Sequence, residues 1–149
     1  MDKKFTAKVS INIKADRAEV WKGLTDPSIV KQYFFGTDVH STWRKGSPIT
    51  FTGVWEGKPY EDRGTILEIE APNFMKYNYW SSFSGKPDAP ENYAIVTYTL
   101  TAKGRMTELS VTQDSSATEE ARKESEKNWL MVFDGLKKVL EKEVVNNER

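Results

Sequence analysis

The side chains that could do chemistry in this chain are mainly aromatic. Trp43, Phe51, Trp55, Tyr77, Tyr79, Tyr98, Trp129 and Phe133 come from a total of five Trp, six Tyr and seven Phe. Together with Gln113 they form the candidate lining of a ligand cavity. Small-molecule sites are mostly apolar walls with a few placed polar groups. Tyrosine supplies both a ring and a hydroxyl that needs a partner once buried. The same rings could equally fill a core. Gln113 carries an amide that must find hydrogen bonds when buried, so it either pairs with a tyrosine or addresses a ligand. Glu68 and His40 are the candidate acid–base groups, since a carboxylate inside a cavity has a raised pKa and histidine titrates near neutrality. The expected places are an exposed strand position for Glu68 and a surface or capping position for His40.

The residues that are missing narrow the chemistry further. Cysteine is absent, which excludes disulfides, thiolate nucleophiles, zinc fingers and iron–sulfur clusters. His40 is the single histidine, so no multi-histidine metal site can be built, and no G-x-S-x-G elbow supports a serine triad. The acids Glu61, Asp62, Asp88, Glu91, Glu119 and Glu120 are scattered and follow no calcium-loop spacing, and no glycine-rich phosphate loop occurs. The expectation is therefore no catalytic residue, no metal and no cofactor. Lys plus Arg and Asp plus Glu both number 22, and zero net charge argues against binding nucleic acid or an anionic membrane by bulk charge. The opening MDKKFTAKVSINIKAD lacks the apolar stretch of a signal peptide. The longest apolar run, WLMVF at 129–133, is far short of a membrane span. A soluble, cytoplasmic protein without integral membrane association is expected.

The elements that must position these groups follow from periodicity. Residues 5–13 alternate strictly, the period of a half-buried strand. Asp16 stands where a helix N-cap would, with Glu19 three positions on, and Asp26-Pro27 ends that short helix. A second short helix is predicted over 28–35, stopping at Gly36. Segments 48–55, 60–70, 74–80, 93–101 and 106–114 read as consecutive antiparallel strands, with a turn at Ala71-Pro72-Asn73 and a long loop over 81–92. One long helix is predicted over 117–143, its apolar stripe running Ala121, Ser125, Trp129, Val132, Phe133, Leu136 and Leu140. Strands grouped together and one long terminal helix make an α+β protein.

Four stretches, INIKADRAEVWKGLTDPSIVKQYFF, STWRKGSPITFTG, GTILEIEAPNFMKYNYW and NWLMVFDGLKKVLEKE, occur in an order and spacing that resemble one family. It is the homologues of the activator of heat-shock protein 90 ATPase, within the START-like SRPBCC superfamily. The resemblance runs from about residue 9 to 143 and implies a single START-like domain over 1–149. The implied fold is helix-grip, with a curved antiparallel sheet wrapped around the long C-terminal helix and two short helices after the first strand. It also implies a cavity between sheet and helix, with its mouth closed by short helices and loops. By this analogy His40 lies near the mouth, and the 81–92 loop, with Phe83 at its centre, is a candidate lid.

The function this implies is binding of a small hydrophobic molecule, whether lipid-like, acyl or aromatic. One alternative is a co-chaperone-type regulator of the chaperone's ATPase, or an adaptor working through the outer sheet face. The other is a cyclase- or hydrolase-type enzyme using the same cavity. Chaperone activation by the eukaryotic namesake relies on an additional N-terminal domain. With a first strand already at Phe5, strong stimulation of chaperone ATPase activity is not expected.

Overall fold

The alternation of FTAKVSINI becomes the first strand, β1 (Phe5–Ile13), with Ala7, Val9 and Ile13 buried. In the computed structural model, which describes residues 5–82, 85–116 and 118–147, two short helices follow, α1 (Arg17–Thr25) and α2 (Pro27–Tyr33). Asp16 caps α1, its carboxylate accepting from Glu19 N at 2.9 Å, which satisfies one of the unpaired N–H groups at a helix start. Asp26 closes α1 and opens α2. Its Oδ1 accepts from Ser28 Oγ at 2.7 Å and Ser28 N at 2.9 Å, and these bonds hold its carboxyl below the usual range. Pro27 takes the first position of α2, where its missing N–H costs no hydrogen bond. The helix ends at Tyr33, two residues earlier than the periodicity suggested. Phe35 (φ 55°) takes the left-handed conformation together with Gly36 (φ 71°).

The remaining strands are β2 (Asp38–Ser41), β3 (Pro48–Trp55), β4 (Lys58–Glu70), β5 (Phe74–Tyr79), β6 (Ala94–Lys103) and β7 (Met106–Ser116). With β1 they form a seven-stranded antiparallel sheet in the order β1-β7-β6-β5-β4-β3-β2. Thus α1 and α2 carry the chain from one edge of the sheet to the other. Strand β2 has no counterpart in the sequence reading, because four residues are too short to display an alternation. β3 and β4 join through Glu56 and Gly57, both at positive φ (51° and 79°), as a two-residue hairpin turn requires. The β4–β5 register shifts between Ile66 and Glu68. This bulge lets both Ile66 and Ile69 pack on the core and leaves Glu68 exposed.

The long helix α3 (Glu119–Asn147) lies across the concave face of the curved sheet and buries Val132, Phe133, Leu136 and Leu140. The result is the α+β helix-grip architecture. No helix among the described residues is long and apolar enough to cross a membrane.

α3 also guards the β1 edge. On a free edge, every second N–H and C=O of the strand lacks a ladder partner. Here Glu126 Oε2 accepts from Lys8 N at 2.9 Å, Glu141 Oε2 accepts from Lys14 N at 3.0 Å, and Lys137 Nζ donates to Asn12 O at 2.8 Å. The Lys8 amide holds the Glu126 carboxyl below its ordinary range. Burial alone would raise Glu141, but hydrogen bonds from Lys137 and the Lys14 amide bring it lower. A carboxyl with a lowered folded pKa adds stability above the unfolded value, about 4.3, and loses it as pH falls through the folded pKa. Protection factors of the Lys8 and Lys14 amides in hydrogen exchange should therefore drop as the pH falls below about 5, while that of Val111 in the sheet interior holds. Glu126→Gln and Glu141→Gln should remove the pH dependence at Lys8 and Lys14 respectively. Protection independent of pH in the parent would mean that the carboxylates do not hold the edge.

Candidate functional site

Along α3 the residues facing the sheet change in size. Phe133, Leu136 and Leu140 fill the space beneath the C-terminal half, whereas Ala121 and Ser125 leave it open beneath the N-terminal half. The open part is a cleft with two lobes. The larger, about 740 Å³, lies between Ala121, Ser125, Trp129 and Val132 of α3, Tyr77 and Tyr79 of β5, Gln113 of β7, and Phe34 and Phe35. The smaller, about 350 Å³, lies between Phe34, Phe35, Thr37, Phe51, Trp55, Tyr60, Asp62, Tyr79 and Ser81. The lobes share Phe34, Phe35, Tyr79 and Asn128. Beneath them, among Leu24, Trp43, Ile49, Met75, Tyr77 and Tyr98, the free space shrinks to about 10 Å³, too little for more than one water. Among the described residues, this inner space between the sheet and the two short helices is closed, and the open space is the cleft at the mouth.

The floor is a closed circuit of ring contacts. Phe34 stacks on Phe51 (5.9 Å), Phe51 meets Tyr77 (6.1 Å), Tyr77 meets Tyr98 (5.6 Å), Tyr98 meets Trp129 (5.8 Å) and Trp129 returns to Phe34 (6.3 Å). Offset and edge-on pairs at such separations add stability beyond the area they bury. The polar handles of the circuit are tied down. The Tyr77 and Tyr98 hydroxyls bond each other at 2.8 Å, and Trp129 Nε1 donates to Gln113 Oε1 at 2.8 Å. Burial pushes both Tyr77 and Tyr98 well above the ordinary tyrosine range, so both remain protonated.

At the smaller lobe sits a buried carboxylate. Asp62, 6% exposed, accepts from the Tyr79 hydroxyl at 2.5 Å, from Ser82 N at 2.8 Å and from Ser82 Oγ at 2.9 Å. Burial, then the Asp62 charge, raise the Tyr79 hydroxyl far above its ordinary range, which fixes it as a donor. Beside it, Tyr60 and Thr37 share a hydroxyl–hydroxyl bond of 2.6 Å.

The structure brings Phe51, Tyr77, Tyr79, Gln113 and Trp129 together around the cleft and places Trp55, 53% exposed, at its rim. Trp43, Tyr98 and Phe133 border neither lobe. Tyr98 belongs to the floor circuit but faces inward, Trp43 packs on the core from the loop between β2 and β3, and Phe133 is buried under α3. Gln113 makes a structural pair, with a tryptophan rather than a tyrosine. Glu68 is exposed on the outer face. His40 does not reach the mouth: Val39 takes the core side of β2, so His40 points outward into a shallow surface depression with Pro27 and Pro48. Phe83, the candidate lid residue, lies outside the described residues. Phe34, Phe35, Asp62 and Asn128 border the cleft without having been singled out from the sequence. Counting back by twos from Ile66 puts Asp62 inside, but the bulge after Ile66 conceals that phase. No group of residues suited to hold a metal occurs among the described residues.

The family model described as Activator of Hsp90 ATPase homolog 1-like protein matches residues 14–141. No curated protein matches the sequence. Among solved structures, a Cytophaga hutchinsonii protein is 46% identical, over 97% of this chain and 99% of that one, with a TM-score of 0.85. A Mesorhizobium loti protein is 20% identical over 93% of this chain and 98% of its own, with a TM-score of 0.74. Ara h 8.0201 superimposes at a TM-score of 0.72 with 11% identity, over 92% and 97% of the two chains. The last two likenesses are of fold alone.

Proposed function

This chain belongs to the Activator of Hsp90 ATPase homolog 1-like family, and from that premise we propose that it binds a small hydrophobic molecule in the cleft beneath the N-terminal half of α3. The observation that carries this reading is the cleft itself. A volume of about 740 Å³ walled by Phe34, Tyr77, Trp129 and Val132 falls in the range of small-molecule sites, which are apolar with a few oriented polar groups. A second support is Phe35. A phenylalanine held at φ 55° with 54% of its surface exposed costs about 1 kcal/mol in backbone energy, and its ring gains little from the fold. Strain kept at a concave site is a mark of function.

Native mass spectrometry of gently purified protein tests the reading directly, because a retained molecule adds its own mass. Phe35→Gly separates binding from folding. Relief of the left-handed strain offsets the added chain entropy, so unfolding stability should stay within about 1 kcal/mol of the parent. Affinity for an apolar probe that quenches tryptophan emission should fall about tenfold, the worth of one aromatic contact. Equal loss of stability and affinity would assign Phe35 to the core, and failure of every apolar probe to bind at millimolar concentration would remove the proposal.

A further inference from the structure

We infer that the ligand is a lipophilic cation, an amine or ammonium group carried on an aromatic or alkyl body; this rests on the cleft being the binding site. Three observations point the same way. None of the described residues bordering either lobe is lysine, arginine or histidine, whereas Asp62 borders the smaller lobe and Glu124 the larger. Asp62 is buried, yet its hydrogen-bond donors among the described residues are all neutral, and it takes part in none of the ion pairs between them. Buried charges are ordinarily paired. The neighbouring cation in sequence, Arg63, is spent on the outer face, on Glu61 at 2.6 Å and Asp88 at 3.5 Å, and lies over the Trp80 ring. Finally, Trp55 and Phe35 stand half exposed in the lobe that Asp62 also lines, and ring faces attract cations.

A carboxylate offers about four acceptor positions; among the described residues Tyr79 and Ser82 fill three, and the fourth would take a ligand N–H. The smaller lobe would take the charged head, with Asp62 on one side and aromatic faces on the other. The larger lobe would take the apolar body against Phe34, Trp129 and Val132. A fatty acid or other anion entering head first would meet a like charge in a poorly solvated site, which is strongly unfavourable.

The test is a charge series on one body: ω-phenyloctylamine, ω-phenyloctanol and ω-phenyloctanoic acid, titrated at neutral pH with heat and tryptophan emission as readouts. The amine should bind about tenfold more tightly than the alcohol, as expected for a charge-assisted bond with cation–π support, and the acid should bind weakest. Asp62→Asn keeps an acceptor oxygen for Ser82 N and Oγ and turns its amide N–H toward the Tyr79 hydroxyl, which can accept instead; it should bring amine and alcohol to within about twofold of each other. The comparison on the parent protein stands even where that variant folds poorly. Alcohol binding with the amine no tighter, or the acid tightest, would overturn the charge assignment and leave the binding site intact. An amine preference that survives Asp62→Asn would overturn the role of Asp62. If none of the three binds, the inference falls together with the cleft as a binding site.

Discussion

Phe133→Ala should destabilise the protein by about 3–5 kcal/mol, the range for truncating a fully buried aromatic ring. Phe133 has no exposed surface, and its ring lies 5.7 Å from Trp129 and 6.1 Å from Tyr98. It is the point where α3 presses on the centre of the sheet, directly under the cleft floor. The space left by the ring is enclosed by Leu136, Val132 and strand residues that cannot collapse into it without moving the helix. The midpoint of thermal unfolding should fall by about 10 °C or more. Phe133→Leu refills most of the volume and should cost about 1–2 kcal/mol. An alanine variant that melts within a degree or two of the parent would show that the helix does not pack there.

Gly64→Ala should cost about 3 kcal/mol, at the upper end for overpacking, although only one methyl is added. Built on this backbone, the new Cβ would lie 1.7 Å from the Asn78 carbonyl oxygen. The obstacle is another strand's main chain, which cannot rotate away as a side chain could. Around this point the pairing is irregular: Thr65 N donates to Asn78 Oδ1 at 2.6 Å, and Arg63 and Trp80 exchange backbone bonds of 3.1 and 2.8 Å. Separating the strands would break these bonds and shift Asp62 relative to Tyr79, so loss of stability should come with weakened probe binding. Gly104→Ala is the contrast. It sits at φ 64° with nothing within 4 Å, and should cost only about 1 kcal/mol of backbone strain. Equal penalties at the two glycines, measured by denaturant unfolding, would show that close approach is not what Gly64 provides.

The fold was legible where one signal dominates a segment. The alternation of residues 5–13, the cap at Asp16, the stop at Asp26-Pro27 and the stripe through Val132, Phe133, Leu136 and Leu140 all lead to the elements observed. The site was legible only in part, because periodicity says which residues face inward and not how far in they lie. Tyr98, Phe133 and Tyr79 all face the interior, yet only Tyr79 borders open space. What decides is the bulk opposite each ring: Ala121 and Ser125 at one end of α3, Leu136 and Leu140 at the other. Asp62 was hidden for a different reason. One inserted residue after Ile66 reverses the phase of β4, so the two isoleucines of that strand argue for opposite faces.

The grip of α3 on the β1 edge sets an order of events for the growing chain. The partners that satisfy that edge, Lys8 with Glu126 and Lys14 with Glu141, are 118 and 127 residues apart, and β1 finds its ladder partner only in β7. During synthesis the first strand therefore emerges long before anything that can cover it. Until α3 clears the ribosome, one side of β1 remains an exposed template for pairing with other chains. Contacts closed over such long loops also make folding slow. For this protein, the interval between making β1 and making α3 is the period of greatest exposure to aggregation and the time when a holding chaperone would matter most.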